Sequence, residues 1–166
     1  MIFALSPSAH DDARYRVEHE LGDGTRLVWE LLDETPRDAQ VAAGVELGGE
    51  VGWIARLDRV DFPPGGVAYR HVHPGPGIRR ILHGELTIDR GDVEPRTYRR
   101  GEAWFEGADD PVLATASVSE ETAFVRVLLL PAEWAGRRTI RYLDPADEDE
   151  PRLQRAAVLL EEPLRA

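Results

Sequence analysis

Apolar and polar residues alternate along most of the chain in short runs, each closed by glycine, proline or a charged cluster. A period of two puts successive side chains on opposite faces of a strand. Tyr15–Glu20 and Thr25–Leu32 flank Gly22-Asp23-Gly24 and predict a hairpin. In its second strand Val28, Glu30 and Leu32 share one face, and Leu27, Trp29 and Leu31 the other. Apolar side chains on both faces predict a strand covered twice, by a barrel and by a second subunit. The four glycines of Val41–Gly52 predict a loop or a pair of short, bent strands. Strands then follow closely at Trp53–Phe62, through the histidines at 71 and 73, and at Ile78–Leu82, Glu85–Asp89, Arg96–Arg100, Ala103–Glu106, Val112–Ser117 and Thr122–Leu130. Turn signals at 90–92, 100–102, 107–111 and 117–121 separate the later ones. Short strands at this spacing predict an all-β barrel or sandwich. Residues 1–14 read as an N-terminal arm, 15–143 as the barrel with its hairpin, and 144–166 as an acidic linker and C-terminal segment. Within that last segment, Leu153–Leu160 fits a short helix or a closing strand equally well.

Composition narrows the chemistry. At 166 residues and 18.5 kDa the chain suits one domain with a substantial core. A formal charge of −11 argues against nucleic-acid and anionic-membrane partners, which need a basic footprint. All positive side-chain charge is arginine, so lysine Schiff-base chemistry is excluded. The absence of cysteine removes disulfides, thiolate metal sites and cysteine nucleophiles. The opening MIFALSPSAHDD lacks the basic start of a signal peptide, and no run approaches the roughly 20 apolar residues of a spanning helix. The expectation is a cytoplasmic, soluble protein without a membrane partner.

His71 and His73 stand two apart in an extended run and so share a face, with Pro63–Gly66 before them and Pro74–Gly77 after. Two imidazoles inside a small barrel suit one divalent ion such as iron, zinc, manganese or nickel. By the same parity Tyr69 points inward, as a proton donor or as core. Arg79 does likewise, as a two-point clamp for a carboxylate or phosphate or as a salt bridge to a neighbouring strand. Trp53 and Trp104 line the pocket or pack. Glu106, beside Trp104 and Phe105, is either a carboxylate raised by burial and free to act as base or ligand, or the ion-pair partner of an arginine.

The stretch Gly65–Gly84 resembles the first conserved motif of the cupins: a glycine, five residues, His-x-His, three or four residues, a glutamate, six residues and a glycine. Gly65, His71, His73 and Gly84 fall in register, and Gly77 stands where the glutamate belongs. Aligning Gly101 with the start of the second motif puts Val112 at its histidine and Ala116 at its asparagine, a residue type this chain lacks. The resemblance, over about residues 53–131, is to a small single-domain cupin with degenerate metal motifs. It implies a cupin-type jelly-roll β-barrel, here with an N-terminal β-hairpin extension, and homodimerisation through added outer strands. Two functional readings follow. One is a module binding a small polar or anionic ligand with His71, His73 and Arg79, with or without a metal. The other is a metal-dependent enzyme of dioxygenase, isomerase, decarboxylase or lyase type, with Glu106 as third ligand and Glu102 and Asp110 behind it. His83 is expected to face solvent, while His10 and His19 reach the site only if the arm folds over the barrel mouth.

Overall fold

Three antiparallel sheets make up the regular structure in the computed structural model, which describes residues 1–49 and 52–164. Positions 50 and 51 of the glycine-rich stretch, and the last two positions of the C-terminal segment, lie outside the described residues. In chain order the strands are β1 (Ile2–Ser6), β2 (Tyr15–Glu20), β3 (Arg26–Leu32), β4 (Val41–Gly44), β5 (Trp53–Phe62), β6 (Val67–Val72) and β7 (Gly77–His83). They continue with β8 (Glu85–Asp89), β9 (Arg96–Arg99), β10 (Ala103–Glu106), β11 (Val112–Ala116), β12 (Thr122–Pro131), β13 (Arg141–Tyr142) and β14 (Arg155–Pro163). No helix among the described residues is long and apolar enough to cross a membrane.

Two five-stranded sheets face each other, ordered β10-β7-β12-β5-β14 and β13-β6-β11-β8-β9. Without the edge strands β13 and β14, the strands β5 to β12 form two interleaved Greek keys, the topology of a jelly roll. The architecture is therefore an all-β jelly roll, the fold that the resemblance implies. β12 lies at the centre of its sheet, and nine of its ten residues are buried. Its near-continuous apolar run reflects cover on both faces, by the barrel interior on one side and the N-terminal sheet on the other. The motif glycine Gly84 has φ +71°, and a Cβ there would lie 2.4 Å from the Glu121 carbonyl oxygen, so only glycine makes this turn.

The N-terminal arm expected over 1–14 is instead an integral strand. β1 sits inside the sheet β2-β3-β1-β4, pairing Phe3 with Leu31 and Leu5 with Trp29. These side chains join Ala55, Leu57, Val125, Val127 and Leu129 in the largest apolar cluster. Four apolar residues at a chain end carry too little pattern to separate a strand from coil, and the pairing partner lies far along the sequence. The second cover on β3 is also the chain's own: Val28 and Leu32 are buried in the single chain. Glu30, on that face, accepts from the His10 backbone N–H and from Arg16 Nε at 2.7 Å, while His10 Nδ1 lies 2.7 Å from its other oxygen. A buried carboxylate needs such partners, and they fasten the 7–14 loop across the sheet.

The separate C-terminal segment is likewise corrected. β14 pairs along the length of β5 and edges the barrel sheet, so the choice between helix and strand falls to strand through a long-range partner. Asp144–Glu150 is largely exposed, with a single 3-10 turn at Pro145–Glu148 in which Asp144 accepts from the Ala146 N–H.

Candidate functional site

The inner face of the first barrel sheet carries a charged rung. Strand register sets Trp104 (β10) opposite Arg79 (β7), Arg79 opposite Arg126 (β12), and Arg126 opposite Asp58 (β5). Glu106 lies two residues further along β10, opposite Gly77. Charge therefore runs Glu106, Arg79, Arg126, Asp58: negative, positive, positive, negative. Like charges on adjacent strands repel, so the two arginines are sustained by the flanking carboxylates. Arg126 donates from Nε and Nη2 to the two oxygens of Asp58, at 2.7 and 3.3 Å. Arg79 donates from Nη1 to the Gly77 carbonyl at 2.7 Å, and its Nη2 lies 2.6 Å from Glu106 Oε2. That last contact is a buried ion pair away from ideal hydrogen-bond alignment. Trp104 Nε1 donates to Glu106 Oε1 at 2.7 Å. Burial lowers the Arg79 guanidinium to about 10, against the pull of Glu106, so it stays charged at neutral pH. Burial pushes Glu106 upward, but Arg79 and the Trp104 N–H outweigh it and hold the carboxyl below its ordinary range. Of the two sequence readings of Glu106, the ion pair is the one present, and the raised carboxylate is not.

The histidines arrive from the opposite sheet. His71 is the penultimate residue of β6 and His73 lies just past its end, both buried, with ring centroids 5.1 Å apart and planes at 85°. His71 Nδ1 lies 2.7 Å from the Tyr69 carbonyl. A carbonyl only accepts, so Nδ1 carries the proton and Nε2 keeps its lone pair. His73 Nε2 lies 3.0 Å from Arg126 Nη1, a donor, so this imidazole accepts across the barrel while its Nδ1–H faces Thr139 Oγ1 at 3.1 Å. Burial lowers His71 to about 4, and lowers His73 well below its usual value with help from Arg126. Both rings are neutral near pH 7.

These groups wall a cavity of about 590 Å³. Phe62, Leu86, Ile88, Trp104 and Phe124 make an apolar end, with Tyr98 stacked behind Trp104 at 4.6 Å. Six arginines line it (Arg56, Arg79, Arg126, Arg137, Arg138 and Arg152) against the carboxylates of Asp58, Glu106 and Glu161. In a chain of net charge −11, this local excess of positive charge concentrates an attractive field for anions.

The structure thus brings His71, His73, Arg79, Trp104 and Glu106 to one cavity. Tyr69 is not in its wall. Val112 pairs with His71 but Ala114 with Ala68, so β6 spends three residues where β11 spends two. This bulge breaks the alternation that turned Tyr69 inward, and what Tyr69 supplies is its carbonyl to His71. Trp53 packs beneath the N-terminal sheet, with Nε1 donating to the Gly48 carbonyl. Glu102 accepts from the Arg99 N–H and Asp110 from the Gly107 N–H, both outside the cavity wall. His83 lies against the Glu121 carbonyl, His10 against Glu30, and His19 on an outer cleft. Sequence reasoning missed Asp58, Arg126, Arg56 and Thr139. Arg126 had a readable signal: it is the one charge in a ten-residue strand that is otherwise apolar or small.

The donors do not fit a resident divalent ion. His73 Nε2 is engaged by a guanidinium, both Glu106 oxygens are engaged, and only His71 Nε2 remains open. Gly77, where the cupin motif has its glutamate, leaves no room for a side chain: a Cβ would lie 2.5 Å from Leu128 Cδ2 and 2.7 Å from Arg79 Nη1. No cluster of three metal-ligating side chains is found among the described residues, whereas catalytic zinc and non-haem iron sites use three protein ligands.

No protein-family model matches the chain, and no curated protein matches it. Solved structures superpose in part. The polyketide cyclase RemF from Streptomyces resistomycificus is 18% identical with a TM-score of 0.45, over 58% of this chain and 63% of that one. An oxalate oxidase in complex with the substrate analogue glycolate is 22% identical with a TM-score of 0.42, over 58% of this chain and 52% of that one. The protein TT1209 from Thermus thermophilus is 28% identical with a TM-score of 0.38, over 46% of this chain and 73% of that one. The chain spans less than two thirds of the cyclase and about half of the oxidase.

Proposed function

We propose that the barrel binds a small organic anion on the adjacent guanidinium groups of Arg79 and Arg126, without a resident metal. The observation that carries this reading is the pair of buried guanidinium groups set opposite each other on β7 and β12, in a cavity wall with six arginines and three carboxylates. Like charges side by side on adjacent strands repel, and a ligand carboxylate, which pairs with a planar guanidinium in two-point geometry, offsets that repulsion. A cavity near 590 Å³ lies in the range of small-molecule sites, and its aromatic end suits an apolar body attached to the anion. A metal-dependent enzyme has weaker support, because the second imidazole is bound to Arg126 and the third candidate ligand to Arg79 and Trp104.

Calorimetry with 3-phenylpropionate and its uncharged amide, on protein purified without nickel resin and assayed for metals, tests the reading. The acid is expected to bind and the amide not, with metal far below stoichiometric. Arg79→Lys keeps the charge but loses the planar fork and is expected to weaken binding. Equal binding of acid and amide, or stoichiometric iron, zinc or manganese that a His71→Ala, His73→Ala variant loses, overturns it.

A further inference from the structure

We propose that the anion is a hydroxy acid, whose hydroxyl donates to His71 Nε2 while its carboxylate sits on Arg79. This rests on the anion-binding reading above and adds to it a second, oppositely directed requirement. His71 lines the cavity with Nδ1–H committed to the Tyr69 carbonyl, so its remaining nitrogen can only accept. No donor to that nitrogen is found among the described residues. A carboxylate alone cannot satisfy it, since two acceptors would meet. Gln154, also in the cavity wall, has a buried Oε1 without a donor. The wall therefore asks one ligand for an acceptor at Arg79 and for donors elsewhere, and a hydroxyl beside a carboxylate meets both.

An ammonium group is the competing donor, and the charges argue against it. Arg79 and Arg126 stand side by side on neighbouring strands next to His71, and the nearby carboxylates are already taken by these arginines. A cationic donor would be repelled where a neutral hydroxyl is not, so the selection is for hydroxy acids over amino acids. The apolar end formed by Phe62, Trp104 and Phe124 completes the class: a hydroxycarboxylic acid with an aromatic or bulky aliphatic body.

The experiment compares 3-phenylpropionate with 2-hydroxy-3-phenylpropionate, 3-hydroxy-3-phenylpropionate and phenylalanine by calorimetry, on wild-type protein and on His71→Leu. One hydroxy acid is expected to bind about tenfold more tightly than 3-phenylpropionate, the worth of one hydrogen bond otherwise left unmade, and phenylalanine more weakly than either. In His71→Leu the hydroxyl preference is expected to vanish while 3-phenylpropionate still binds. On wild-type protein, the nitrogen NMR signal of His71 Nε2 is expected to move on addition of the hydroxy acid and not of the deoxy acid, which covers failure of the variant to fold. Equal binding of hydroxy and deoxy acids overturns this inference and leaves the anion seat standing, as does a preference that survives in His71→Leu. Failure of every acid to bind overturns both.

Discussion

Gly77→Ala adds one methyl group to the inner face of β7, at the position where the cupin motif carries glutamate. The new Cβ would lie 2.5 Å from Leu128 Cδ2, 2.7 Å from Arg79 Nη1 and 3.1 Å from the Val127 carbonyl oxygen. The first two atoms end flexible side chains, but Leu128 is 0% exposed, and Arg79 can move aside only by giving up the Gly77 carbonyl and Glu106. Overpacking of this kind costs about 1–3 kcal/mol, or roughly 2–4 °C in Tm per kcal/mol at this chain length. Urea unfolding followed by tryptophan fluorescence reads the loss, and anion affinity should fall with it because Arg79 gives up its bond to the Gly77 carbonyl. Gly77→Glu, which restores the motif, is expected to lose more stability and to gain no stoichiometric metal, since His73 Nε2 remains engaged by Arg126. A Gly77→Ala protein within about 0.5 kcal/mol of wild type, the usual spread of inconsequential surface changes, would show that the guanidinium does not fill this space. A stable Gly77→Glu protein holding one divalent ion would refute the account of why the glutamate is missing.

Two further outcomes follow from the buried charges. Arg126→Leu strands Asp58 in the barrel and is expected to cost about 3–5 kcal/mol, while the double variant with Asp58→Leu recovers most of it; a single-variant loss below about 1 kcal/mol by denaturant titration would deny that the pair is buried and coupled. His71 is depressed from 6.5 to about 4 in the folded state, so the unfolded chain takes up this proton first and stability falls as pH drops from about 6.5 toward 4. At about 1.36 kcal/mol per pH unit, the contribution present above pH 6.5 and lost by pH 4 is about 3 kcal/mol. His71→Leu should flatten that part of the curve, and identical acid slopes for the two proteins would contradict it.

What could be read in advance is local. Alternation and turn residues mark strands wherever a segment carries enough of both, as in Trp53–Phe62 and Thr122–Leu130, and residues two apart in an extended run remain on one face, as His71 and His73 do across the end of β6. Parity failed at Tyr69 because a bulge depends on the partner strand, not on the segment itself. β1 and β14 escaped for the same reason: each becomes a strand by pairing with residues distant in the chain.

The residue types of this sequence determined an all-β chain, a pair of inward imidazoles, arginine as its only basic side chain besides histidine, and a motif without two of its expected ligands. Tertiary structure decided what each of those groups faces. Arg126 is visible as a lone charge in an apolar strand, but Asp58 and His73 become its partners only when β5 and β12 pair and the opposite sheet closes over them. Hydrogen bonds and Coulomb forces act over a few ångströms of space whatever the distance along the chain, so the identity of a buried donor is written in the sequence and its acceptor is written in the register.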